Sequence, residues 1–98
     1  MKKKTNYAIP RPYTKFGEYL QKGREKAGLT QKQVADDLDY STAQFISNFE
    51  RGIAIPPLRK LKAILEMYSL SSETAISLIL ELEKKRLAEI LLRKRKPA

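Results

Sequence analysis

Gln44, Ser47 and Asn48 fall within one helical turn of each other. That spacing puts all three on one side of a helix. An amide side chain carries a donor and an acceptor side by side. This is the pattern that meets the N6 and N7 edge of adenine in the major groove. Thr42 and Ala43, next to them, carry methyl groups of the size that meets a thymine methyl. The chemistry these residue types can do is recognition of base edges rather than bond making. Taken singly, Gln44 is equally a helix-capping partner and Asn48 a solvated polar side chain.

The remaining composition points away from catalysis. The chain of 98 residues has no cysteine and no histidine. This excludes disulfides, thiolate zinc sites, and Ser-His-Asp or Cys-His catalysis. No Gly-rich phosphate loop and no paired-carboxylate motif stands out. Asp36, Asp37 and Asp39 could be drawn as a cation site, but a solvated helix end explains them better. No catalytic residue, metal or cofactor is expected. No apolar run follows Lys2, Lys3 and Lys4, so no signal peptide is read there, and no stretch approaches membrane-spanning length. A cytoplasmic, nucleoid-associated protein is the expectation.

The net charge of +9 favours a polyanionic partner. Its distribution says more. Residues 1–28 carry eight basic and two acidic side chains, whereas residues 29–55 carry two basic and four acidic. Residues 73–98 carry seven basic and four acidic. Non-specific attraction must come from the flanks, and the middle of the chain must supply shape and polar contacts.

Two short helices position the amides. Thr30 suits an N-cap, and Gln31 to Leu38 follow with Val34, Ala35 and Leu38 on one apolar side. Ser41 and Gln44 read as a capping box opening a second helix, with Ile46 and Phe49 inward. Phe45 is expected at the domain edge, and Gly52 at the helix end. Upstream, Thr14 is expected to cap a helix with Phe16, Tyr19, Leu20, Gly23 and Ala27 on its buried side, ended by Gly28. Gly23 would admit a close neighbour. Downstream, one isoleucine of residues 53–55 plugs the core edge or joins a partner-contacting patch. Pro57 opens a fourth helix with Leu58, Leu61, Ile64, Leu65 and Tyr68 inward. Ser71 or Ser72 caps a last helix running to about Lys94.

In that last helix, Ala75, Ile76, Ile79, Leu80 and Leu82 can close the core. Leu87, Ile90, Leu91 and Leu92 extend past what a small domain can cover. The spacing of Ile76, Leu80, Leu87 and Leu91 resembles a short coiled-coil seam, interrupted by Glu83 and Lys84. A second copy of the chain is the simplest cover for it, with Leu80, Leu87, Ile90 and Leu91 at the contact. Packing back on the chain's own domain is the alternative; a membrane role is not expected.

The segment around these two helices resembles the helix-turn-helix of the Cro and phage-repressor family, the xenobiotic-response-element type. The resemblance covers residues 14–70. It rests on Arg24, Ala27, Gly28, Leu29, Thr30, Gln31, Val34, Ala35, Leu38, Ser41, Ile46, Ser47, Glu50, Arg51, Gly52 and Pro56. It implies that Gln31 contacts a phosphate and braces Gln44. It implies that Ala43, Gln44, Ser47 and Asn48 face base edges, and that Thr42 and Arg51 touch the DNA backbone. It also suggests that Arg24 and Glu50 form a partly buried ion pair. Two departures stand out. Asp39 occupies the turn where relatives carry Gly, and one extra residue lies within residues 39–42, enough to shift the start of the second helix by about one position.

The expected architecture is all-α: a five-helix repressor-like domain made of a helix-turn-helix core over residues 14–70 and an extended last helix over residues 71–98 that closes the core and dimerises, preceded by a flexible basic arm over residues 1–13. Lys2, Lys3 and Lys4 of the arm are expected to track DNA. The expected function is sequence-specific binding of double-stranded DNA by a homodimer that regulates, and most simply represses, transcription from a palindromic operator. The alternatives are a protein-interaction module such as an antitoxin or adaptor, and a non-specific nucleoid-type DNA binder.

Overall fold

A computed structural model describes residues 11–93 of the chain. The expected DNA-tracking residues Lys2, Lys3 and Lys4 lie outside the described residues. Five helices follow one another, with no strand among the described residues: α1 (Thr14–Lys26), α2 (Gln31–Asp37), α3 (Gln44–Glu50), α4 (Leu58–Tyr68) and α5 (Ser72–Leu91).

The core is where the apolar sides of α1 to α4 meet the first turns of α5. Phe16, Leu20, Val34, Ala35, Leu38, Ile46, Phe49, Leu61, Ile64, Leu65, Tyr68 and Ala75 are buried. Phe16 is completely so, and burial on that scale contributes about 1.5–3 kcal/mol for a single large apolar side chain. Helix α1 is the central pillar, packing on α3, α4 and α5. Tyr19 Oη fastens it to α5 by donating to the backbone oxygen of Ser71 at 3.1 Å.

Two glycines permit the closest approach in the fold. A Cβ at Gly17 would lie 2.4 Å from the carbonyl oxygen of Glu50 and 2.6 Å from that of Phe49. The end of α3 therefore rests directly on the backbone of α1. Gly52, at φ 80°, turns the chain there and accepts from the Tyr13 amide at 3.0 Å.

The first four helices end in the same way. After each, a residue with positive φ reverses the chain: Gly28, Asp39, Gly52 and Ser69. The amide of that residue and of the next then bond back to carbonyls of the last turn, as in Asp39 to Asp36 at 3.2 Å and Tyr40 to Ala35 at 2.9 Å. This is the Schellman arrangement, which satisfies helix-end carbonyls. Asp39 takes the left-handed conformation expected of it, since a short polar side chain tolerates it better than most.

Several local expectations shift. Tyr13, not Thr14, holds the cap position of α1, and the Thr14 hydroxyl instead donates to the Arg11 carbonyl at 3.0 Å. Ala27 is exposed because α1 has already ended. Gly23 does sit under a close neighbour, the side chain of Leu70. Pro57 is the cap of α4 rather than its first residue, which rotates Leu58 outward to 79 % exposure. Pro56 fills the core beside it, with Ala54 and Ile55 partly buried against the core. In α5, Ser71 is the cap, accepting from the Thr74 amide at 3.1 Å. Ile79, Leu78 and Leu82 lean on the core, whereas Ile76 and Leu80 face away from it.

Candidate nucleic-acid interface

Helices α2 and α3 hold the candidate site. Thr30 caps α2, its hydroxyl accepting from the Gln33 amide at 3.0 Å, while the Gln33 side chain accepts from the Thr30 amide at 2.8 Å. A capping box therefore stands at the start of α2. The one expected between Ser41 and Gln44 does not form. The turn after α2 occupies residues 38–43, and α3 begins only at Gln44, with Ala43 at the cap position in helical conformation. Thr42 stabilises the first turn in place of Ser41, its hydroxyl accepting from the Gln44 amide at 3.2 Å. The extra residue of this segment is thus absorbed in the turn.

One carboxylate locks α3 to its neighbours. Glu50 is almost fully buried and accepts from three donors. Arg24 Nε reaches one oxygen at 2.6 Å, while Arg24 Nη2 at 3.1 Å and Gln31 Nε2 at 2.9 Å reach the other. Arg24 Nη1 also donates to the Leu29 carbonyl at 2.8 Å, across the turn between α1 and α2. The hydrogen bond that Arg24 donates to Glu50, with the charge of that carboxylate, raises the Arg24 pKa above its ordinary value, against the opposing effect of burial. The expected Arg24–Glu50 pair is present and extends to α2. Gln31 is braced by Glu50, and no hydrogen bond joins it to Gln44.

Gln44, Asn48 and Arg51 instead form a row on the outer side of α3. Gln44 Nε2 and Arg51 Nη2 both donate to Asn48 Oδ1, at 2.9 Å and 2.8 Å. Gln44 is exposed, while Ala43, Ser47, Asn48 and Arg51 are half-buried. Arg51 Nε is buried without a hydrogen-bond partner among the described residues. Ile46 and Phe49 point the opposite way, into the core. The candidate base-edge residues and the core anchors of α3 therefore occupy opposite sides of a seven-residue helix.

A second group borders this face. Phe45 stacks on Tyr40 with ring centroids 4.5 Å apart, at the domain edge as expected. Lys60 of α4 places its ammonium 5.1 Å from the centre of the Tyr40 ring and donates to the Leu38 carbonyl at the end of α2. Burial raises the Tyr40 pKa. Tyr40 and Lys60 were not singled out by sequence. The signal for Tyr40 was its place between two helices, where an aromatic can bridge them.

A polar outer row on a short helix, braced by a preceding helix across a tight turn, defines a helix-turn-helix that docks on DNA. A helix-turn-helix family model matches residues 20–74, more than half of the chain. The chain belongs to the helix-turn-helix family of the Cro and phage-repressor type. It is a DNA-binding transcriptional regulator whose partner is double-stranded DNA. No curated protein and no solved structure matches it significantly. No helix among the described residues is long and apolar enough to cross a membrane.

Proposed function

We propose that this chain binds a palindromic operator as a homodimer and represses transcription from it. Gln44, Ser47 and Asn48, with Ala43 beside them, read base edges in the major groove. Thr42, Gln31 and Arg51 flank them at the DNA backbone, and Lys2, Lys3 and Lys4 add non-specific attraction. The observation that carries this reading is the outer row of α3. Its Gln44 amide is exposed and its Asn48 amide half-buried, and the helix that carries them is fixed by the buried Glu50 cluster.

The dimer rests on α5. Ile76, Leu80, Leu87, Ile90 and Leu91 are 55 %, 63 %, 49 %, 59 % and 72 % exposed and share one side of the helix. An apolar stripe of this kind is expected to be covered by a partner. Glu83, which interrupts it in sequence, is drawn back to its own domain. Tyr13 Oη donates to it at 2.5 Å and Arg86 lies 3.5 Å from it. A two-fold dimer would place its two α3 helices in successive major grooves, about 34 Å apart.

Selection from a randomised duplex library at physiological salt tests the reading. The expected result is an enriched inverted repeat with half-sites about one helical turn apart. Binding without enrichment would point to a non-specific packer of DNA, and no binding at all to a protein-interaction module.

A further inference from the structure

The polar row on α3 has a direction. Resting on the reading of this face as the one that meets base edges, we infer that Arg51 is a positioning residue that fixes the orientation of the Asn48 amide and so sets the donor and acceptor pattern offered to DNA. A guanidinium can only donate. Its Nη2 lies 2.8 Å from Asn48 Oδ1, so the oxygen of that amide must be the atom turned toward it. Gln44, one turn earlier, reaches the same oxygen at 2.9 Å. Having met an acceptor, it must use its nitrogen. The polarity therefore passes from Arg51 through Asn48 to Gln44.

The atoms this row leaves unused are Asn48 Nδ2, a donor, and Gln44 Oε1, an acceptor. The pair suits a site that presents an acceptor to Asn48, such as purine N7, guanine O6 or thymine O4. To Gln44 the same site presents an exocyclic amino group, adenine N6 or cytosine N4. An amide free to turn over would take either pattern at either place. Arg51 is itself held. It is the C-terminal cap residue of α3, and its Nε is buried, so the guanidinium is seated in the surface rather than free in solvent.

This assigns Arg51 a part that a phosphate contact does not explain, and the two are separable by experiment. Binding of wild type, Arg51→Met, Arg51→Lys and Asn48→Asp is measured on the library-selected duplex. The same variants are measured on duplexes changed at the base step where Asn48→Ala alters the selected preference. Arg51→Met releases the amide, and discrimination at that step is expected to fall about tenfold. Arg51→Lys, still only a donor, keeps most of it. Asn48→Asp keeps an oxygen for Arg51 and Gln44 but turns the outward donor into an acceptor, so the preferred base at that step changes.

A uniform loss of affinity in Arg51→Met with an unchanged preference profile would overturn the inference. That is the signature of a phosphate contact alone. Retention of the wild-type preference by Asn48→Asp would overturn it equally, because the amide oxygen would then be the atom facing out. Should Arg51→Met fail to fold by circular dichroism, Arg51→Gln, whose amide can turn either a donor or an acceptor toward Asn48, takes its place in the same comparison. Absence of any base preference in the wild type overturns the reading of the face and this inference together; a preference that survives Arg51→Met overturns only the inference.

Discussion

At the scale of single residues, Glu50 carries the greatest consequence. Donors from α1 and α2 converge on its carboxylate. Glu50→Ala would leave the Arg24 guanidinium, 12 % exposed, without its charge partner. Removing one member of a buried pair typically costs about 3–5 kcal/mol, well above the roughly 0–1 kcal/mol of an exposed pair. The expected result is a urea midpoint shifted by that amount; a midpoint equal to wild type would show that the cluster contributes nothing. Tyr68 gives a second test. Burial, with the Glu50 charge adding to it, raises its pKa well above the ordinary 10.0. The folded state then holds the phenol proton where the unfolded chain begins to release it. The stability tied to this group is complete below about pH 10 and declines as pH rises above it. Tyr68→Phe should flatten that alkaline decline in thermal melts at successive pH values. It should not abolish it, since Tyr13 and Tyr40 are shifted the same way.

At the scale of elements, the sequence disclosed the helices more readily than their ends. The apolar periodicity of Val34, Ala35 and Leu38, and of Leu58, Leu61, Ile64, Leu65 and Tyr68, is a record of burial at every position but Leu58, which lies at the start of its helix and faces out. Thr30 was legible as a cap because its chemistry permits little else there. Ser41 was misleading for the same reason, since the extra residue in the turn left it outside the helix it was suited to cap. Ser69 in the left-handed conformation carried no signal, because serine is not a residue that such positions select. Gly17 was also silent. It reads as one more small residue in a helix, and only the position of α3 shows why it must be bare. Gly17→Ala would drive a methyl group into the carbonyls of Glu50 and Phe49, which are backbone and cannot swing aside. Overpacking of this kind costs about 1–3 kcal/mol. A melting temperature at or above that of wild type would show that α1 and α3 separate easily.

For the whole molecule, the unsettled element is α5. Its first turns belong to the core through Ala75, and its remainder carries the apolar stripe outward. The sequence showed an apolar excess there and a seam through it, but left Ile76 and Leu80 divided between the seam and the core. Ile76 and Leu80 were read both as closers of the core and as members of the seam with Leu87 and Leu91; both are exposed and belong to the stripe. If this stripe joins two copies, Leu80→Glu with Leu87→Glu should convert a dimer to a folded monomer. Sedimentation velocity would show it, alongside an unchanged helical signal in circular dichroism. A wild-type chain sedimenting as a monomer at tens of micromolar would remove the dimer from the proposal.

The opposed sides of α3 also bear on how a molecule like this one diversifies. Ile46, Phe49 and Glu50 hold the helix to the body, whereas Gln44, exposed, and Ser47 and Asn48, half-buried, lie on its other side. If those three positions read base edges as proposed, substitutions there would alter what the surface addresses while leaving the core contacts of Ile46, Phe49 and Glu50 in place. Duplicated copies would then be free to drift toward separate targets on an unchanged scaffold, and the vocabulary of the descendants would widen faster than their architecture.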